Sequence, residues 1–294
     1  MDLARRSVEV ILAGQSPSGA YVASPTFGLY RYCWFRDGAF IADAMSRAGE
    51  VESAERFFDW CAGVVRARPE GPWDARYNLD GTPDTSDWPH HQLDGLGLWV
   101  WAAQAHCERH GRASRWDDAV AATVAYLRAH WRDPCVDWWE EREGLHVATV
   151  GSIWAATRDD AARALVTDRY EHERLDGSHA FLVALGLAPV EHLERIERRL
   201  GYHRHADDVY YGGGRWIILA GFTGWARLLH GLDPAPQLEW IEAHAREDGE
   251  LPEQMPPLLH PEHYDRWTEK WHTPAQPLLW SHAMYLTLKT VAAA

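Results

Sequence analysis

Apolar positions along the chain recur with a helical period, and no stretch alternates in the manner of a strand. Phe57, Phe58, Cys61, Val64 and Val65 fall on one helix face. So do Trp116, Val120, Val124 and Leu127, and Val190, Leu193, Ile196 and Leu200. The pattern predicts helices at 2–13, 36–48, 52–68, 92–109, 115–131, 152–167, 178–186, 190–200, 215–230, 236–246 and 275–291. Short glycine turns join many of them in pairs: Gly49, Gly111 with Ser114, Gly186 with Pro189, and Gly231 with Asp233-Pro234. Glycine tolerates the left-handed position after a helix, and proline suits the first helical turn. Repeated helix–glycine–helix units predict antiparallel hairpins, and closing them into a ring gives an all-α barrel of (α/α) hairpins.

Long irregular stretches alternate with the tight turns, at 14–35, 69–91, 132–151, 201–214 and 247–274. Loops of this length are uncommon unless they serve a function. With the short turns on one face of the barrel, the long loops share the other, where a pocket is expected. No linker or low-complexity tract interrupts the pattern, so 1–294 reads as one domain.

Composition narrows the function. Lys plus Arg number 29 against 43 Asp plus Glu, a formal net charge of −14. Such a chain is a poor partner for nucleic acid or an anionic membrane. No apolar run approaches the roughly 18 residues of a membrane span, and the start, MDLARRSVEVILAGQ, reads as an amphipathic helix rather than a leader. Cys33, Cys61, Cys107 and Cys135 are scattered, which argues against a zinc or redox motif and suits reduced thiols in a cytoplasmic protein. There are 17 Trp against 7 Phe. Core packing does not favour Trp over Phe, because a buried indole N–H needs a partner. Flat rings with a polar edge suit sugars.

Two loops carry distinctive glutamates. In VDWWEEREG (136–144), Asp137, Glu140, Glu141 and Glu143 are interleaved with Trp138, Trp139 and Arg142. A carboxyl among indoles is desolvated, which raises its pKa and keeps it protonated for donation. In DGELPEQMPP (248–257), Glu253 lies between Pro252 and Gln254. A carboxylate there can hold a water, with Gln254 as a second hydrogen-bonding group. Glycoside hydrolysis uses such a pair, one acid for the leaving oxygen and one base for water. Among 43 acidic residues, two loop glutamates are equally what chance provides.

LYRYCWFRDGAF (29–40), VDWWEEREG, DDVYYGGGRW (207–216), and ELPEQ (250–254) followed by PLLWSHA (277–283) together resemble glycoside hydrolase family 15. This is the glucoamylase family, with isomaltose- and trehalose-cleaving relatives. The resemblance implies an (α/α)6 barrel and hydrolysis with inversion. It places Glu140 at the general acid and Glu253 at the general base. It implies that the stretch Trp34-Phe35-Arg36-Asp37 grips the terminal glucose, that Tyr30 lies near the reacting centre, that Arg204 binds sugar, and that Trp88 walls the pocket. Arg36 with Asp37 also reads as a salt bridge at a helix start, Arg204 as a partner for Asp207 or Asp208, and Asp137 and Glu141 as supporting or solvated acids. The implied activity is exo-hydrolysis of short α-1,6- or α-1,4-linked gluco-oligosaccharides, releasing β-glucose. A trehalase of the same family and a non-catalytic sugar-binding relative are the alternatives. No cofactor or metal is implied. His90-His91 and the pair His260/His263 raise a metal hydrolase, but the helical HExxH pattern is missing. The interval between the acid loop and LDGSHAF (175–181) is short for the family, and the eleven helices predict a barrel lacking about one.

Overall fold

Residues 2–292 are described by a computed structural model, and their helices are α1 (Leu3–Ala13), α2 (Phe35–Arg47), α3 (Val51–Ala67), α4 (Asp94–His110), α5 (Asp117–His130), α6 (Val147–Thr157), α7 (Asp160–Arg169), α8 (His179–Ala184), α9 (Val190–Arg199), α10 (Ile217–Leu229), α11 (Ala235–Ala243), α12 (Tyr264–Trp271) and α13 (Leu279–Ala292). Two kinds of helix alternate. In α6 every residue except Trp154 is buried, and α10 is buried without a break from Ile217 to Ala226. In α9 only one stripe is buried, with His192, Leu193 and Ile196 inside and Glu191, Glu194, Arg195 and Arg198 outside. A helix that is apolar all round must be enclosed, and an amphipathic one covers it.

The packing follows. α2, α4, α6, α8, α10 and α13 each contact the next, and α13 closes onto α2. Outside them α3 backs α2, α5 backs α4, α7 backs α6, α9 backs α8, α11 backs α10, and α1 backs α13. This is a closed (α/α)6 barrel of twelve helices. The predicted single helix at 152–167 is two, α6 and α7, so the ring is not short of a helix. The break is Arg158, in the left-handed region at φ 53°, followed by Asp159, whose carboxylate accepts from the N–H groups of Ala161 and Ala162. Arginine stands where glycine signals a helix end, and all-round burial leaves α6 without a period.

Inner helices crowd their neighbours. A Cβ on Gly97 of α4 would lie 2.4 Å from the Ser152 carbonyl oxygen of α6. The axis is filled with aromatic rings: Phe40 of α2 stacks on Trp280 of α13 at 5.4 Å and 11°, with Phe181 and Phe222 edge-on to it. Trp138, from the 131–146 loop, caps this cluster.

Connections from inner to outer helices are tight turns, and those from outer to inner helices are long. The long loops therefore share one face, at the N-terminal, partially positive ends of the inner helices. Three two-residue antiparallel pairings brace them: Cys33–Trp34 with Arg76–Tyr77, Cys135–Val136 with Glu143–Gly144, and Arg215–Trp216 with Gln254–Met255. Between Met255 and α13, the stretch expected to be irregular contains α12, whose Tyr264, Trp267 and Trp271 stand at helical spacing. No described helix is long and apolar enough to cross a membrane.

Candidate active site

The long loops enclose a pocket of about 310 Å³, closed below by the axial aromatic cluster through Trp138 and Trp280. Ten of the twelve residues singled out from the sequence line it: Tyr30, Trp34, Arg36, Asp37, Trp88, Trp139, Glu140, Glu141, Arg204 and Glu253. Asp137 and Gln254 stand behind it. Asp137 accepts from the backbone N–H groups of Glu141 and Arg142, and its carbonyl accepts from Gln92 and from the Glu140 N–H. It shapes the acid loop. Gln254 Oε1 accepts from the Gly214 N–H, across the strand pairing that carries Glu253.

Glu140 is set by its loop turn. Its backbone is left-handed, at φ 63°, a conformation that costs a residue other than glycine roughly 1–3 kcal/mol and is concentrated at functional sites. The side chain meets Trp34, whose Nε1–H donates to Oε1 at 2.6 Å, and Arg36 Nη2 lies 3.8 Å from the same oxygen. Burial raises its pKa, and the opposing pull of Arg36 and Trp34 does not cancel the rise.

Glu253 is 1% exposed. Tyr30 OH donates to its Oε1 at 2.8 Å, and Tyr210 OH stands 2.8 Å from Tyr30 OH. Because the Tyr30 proton is committed to Glu253, Tyr210 donates to Tyr30. Glu253 Oε2 is buried without a hydrogen-bond partner. Burial pushes this carboxyl up to about 7, against the lowering effect of Tyr30 and Arg204. Burial thus raises both carboxyls, and different neighbours oppose it at each.

Arg36 and Asp37 occupy the first turn of α2, where a carboxylate favours the helix dipole, so the predicted helix-start role and the pocket placement coincide. Arg36 Nη1 bonds Gln92 at 2.9 Å and Asp94 at 3.2 Å, which fixes the guanidinium. Arg36 Nε and Asp37 Oδ2 form the salt bridge read from the sequence, at 3.5 Å, and neither makes a hydrogen bond. Burial, mainly, raises Asp37 to about 7. Arg204 pairs with Asp208, not Asp207, at 2.8 and 2.6 Å, and reaches Glu141 Oε1 at 2.6 Å. Burial alone would raise Glu141, but Arg204 and His205 outweigh it and hold the carboxyl down at about 2. Glu141, His205 and Asp208 are close enough to surround a metal ion, but the Arg204 guanidinium is already the cation among them. His90 and His260 bond loop carbonyls.

The loops also fix the walls. Arg76 is fully buried, held by Asp84, Ser86 and the Pro89 carbonyl, and its guanidinium faces the Trp34 and Trp88 rings at 5.5 and 5.0 Å. Asp176, in the short 170–178 connection, accepts from Trp139 Nε1 through both oxygens at 2.9 Å. Eight of the 17 tryptophans line the pocket: Trp34, Trp88, Trp138, Trp139, Trp216, Trp267, Trp271 and Trp280. The other nine lie outside the pocket, most of them on the helices, so the excess serves both purposes. Tyr210, Trp216 and Trp280 lie within the quoted motifs without having been singled out. Trp267 and Trp271 belong to none of them, and only their spacing announced them.

Comparison with known proteins agrees with this geometry. The sequence profile of glycosyl hydrolases family 15 matches residues 2–178. An isomaltose glucohydrolase of Kribbella flavida is 39% identical over 98% of this chain and 91% of its own length. That alignment runs to 353 positions against the 294 residues here, so the relative carries internal insertions. A glycosidase variant solved in complex with glucose superimposes with a TM-score of 0.90 at 37% identity, covering 99% of this chain and 96% of that one. A bacterial glucoamylase solved with acarbose shares the fold, with a TM-score of 0.76 at 20% identity, over 98% of this chain and 55% of that one. The closed helical barrel, the carboxyl-lined pocket at its mouth and these likenesses together show that the chain belongs to glycosyl hydrolases family 15 and is a glycoside hydrolase.

Proposed function

We propose that the protein is an exo-acting α-glucoside hydrolase that removes the non-reducing terminal glucose from short gluco-oligosaccharides, isomaltose-like α-1,6 or maltose-like α-1,4, with inversion to β-glucose. Residues 1–294 act as a single catalytic domain, and the free cysteines fit a cytoplasmic setting. One observation carries the reading. Two buried carboxyls from separate loops enter one blind pocket, Glu140 hydrogen-bonded by an indole and Glu253 with one oxygen tied and the other unpartnered.

In this reading Glu140 is the general acid. Trp34 engages Oε1, so the proton sits on Oε2 and passes to the glycosidic oxygen as the C1–O bond breaks. Glu253 is the general base. Its Oε2 takes a proton from a water whose oxygen bonds C1 from the opposite face. Tyr210 and Tyr30 orient the carboxylate and favour its charged form. Arg36, Asp37 and Arg204 supply buried donors and acceptors for glucose hydroxyls, and Trp138 with Trp280 forms the floor. Arg36 Nε and Asp37 Oδ2 face each other as an ion pair at 3.5 Å, and neither makes a hydrogen bond that a glucose hydroxyl would have to displace. Of the two linkages, the relative named for isomaltose supports α-1,6. A panel of isomaltose, maltose and trehalose, with proton NMR of the first-formed glucose anomer, tests the whole. Initial release of α-glucose rules out inversion, and a preference for trehalose rules out the substrate assignment.

A further inference from the structure

The barrel is complete without α12. None of its eight residues is fully buried, and it packs against the turns Tyr210–Gly212 and Pro261–His263. Its two faces differ sharply. Asp265, Arg266, Glu269 and Lys270 are exposed, while Tyr264, Trp267 and Trp271 turn inward and remain half-buried. Trp267 meets Tyr210 edge-on at 5.0 Å and Tyr211 at 6.0 Å. Trp267 and Trp271 both line the catalytic pocket.

Their position is the mouth. The charged groups of the floor are almost wholly enclosed, with side-chain exposures of 7% for Arg36, 10% for Asp37 and 7% for Glu140. The rim is open and apolar apart from Glu141: Val209 is 40% exposed, and Leu29, Trp88 and the two α12 tryptophans are half-buried beside it. Any part of a substrate beyond the enclosed glucose must cross this rim. Indole faces stack on the C–H face of a sugar ring, and α12 presents no charged group toward the pocket. Across the mouth, Glu141 is ionised and offers the acceptor for a hydroxyl. α12 is also set at a defined angle, since the residue after it, His272, adopts φ 66° and ψ −152°, a region side-chain-bearing residues rarely enter.

We propose that Trp267 and Trp271 form a platform for the leaving group, so that α12 determines which aglycones the enzyme accepts. This deepens the functional reading above and rests on it. The platform fits a ring, such as a second hexopyranose or an aryl group. It has nothing to hold in a leaving group of one atom.

The test compares Trp267→Ala and Trp271→Ala with the unmodified protein on two substrates, isomaltose and α-glucosyl fluoride, whose glucosyl part is the same. The expected result is a loss of kcat/KM on isomaltose exceeding the loss on the fluoride by about tenfold or more, carried mainly by KM, with Trp→Phe recovering most of it. Equal losses on the two substrates overturn the proposal, because the tryptophans then serve the glucose site or the fold. No loss on either overturns it as well. Where an alanine variant does not fold, Trp267→Phe and Trp271→Phe carry the same comparison, with an isomaltose-selective loss of about threefold in support and equal losses against. An unmodified protein inactive on both compounds removes the functional reading itself, and this inference with it.

Discussion

At the scale of single residues, the site balances two carboxyls by what touches each. As the proposed general base, Glu253 acts when ionised, and burial pushes its carboxyl up to about 7. Activity therefore falls as pH drops through 7, and kcat/KM plotted against pH shows that limb. Tyr30 donates to the ionised form, so Tyr30→Phe raises the pKa further and moves the limb to higher pH by up to about one unit, equivalent to roughly 1.4 kcal/mol. Asp37 titrates in the same range, so the displacement between variant and parent, rather than the limb alone, identifies Glu253. Glu253→Gln is expected to lower turnover by at least a thousandfold while glucose still binds by calorimetry, as loss of the water-activating group requires. The same substitution has a stability signature. The folded pKa of Glu253 is raised above the unfolded value, so the folded state holds this proton more tightly, and stability is lost as pH rises from about 4.5 to about 7. The neutral glutamine escapes that loss. Thermal melts should show Glu253→Gln more stable than the parent at pH 8, by at most about 3 kcal/mol, and no such advantage at pH 4.

At the scale of elements, the inner ring depends on close helix contact. Gly97→Ala sets a methyl against the backbone of Ser152, which cannot swing aside as a side chain can. A loss of about 1–3 kcal/mol in denaturant unfolding is expected. Elements with a stripe were legible in the sequence: α3, α5 and α9 announce themselves by spacing, and glycine marks several hairpin turns. The boundary between α6 and α7 was not, because α6 is buried on all sides and its end is an arginine in a glycine conformation. The helix α12 was hidden by its setting among prolines and histidines, although Tyr264, Trp267 and Trp271 carried its period. In the site, ten lining residues were readable because motifs and aromatic context point to them. The hydrogen bonds that place Asp137 and Gln254 behind the pocket join the acid loop to Gln92 and the Glu253 strand to Gly214, and no spacing reveals such long-range pairings.

At the scale of the whole molecule, the pocket is where the loops converge, so a ligand that fills it ties them together. Glucose at a hundredfold excess over its Kd should stabilise the protein by about 2.7 kcal/mol, visible as a raised Tm, and Arg36→Ala should remove most of that gain. The ring itself is sealed by contacts between distant parts of the chain. α13 packs on α1 and α2, Leu279 N–H donates to the Ala23 carbonyl, and His282 pairs with Ser7 at 2.9 Å. The first and last helices are therefore neighbours, and the barrel has no privileged starting point. A circular permutant that joins α13 to α1 through a short linker and opens the chain between Gly111 and Ser114 cuts only a turn on the face away from the pocket. It should fold and keep its activity. Opening the chain within 136–144 instead cuts the loop that holds Glu140 in its left-handed turn. That permutant should keep the barrel and lose the chemistry, which makes the two faces of one ring separable by the position of a single break.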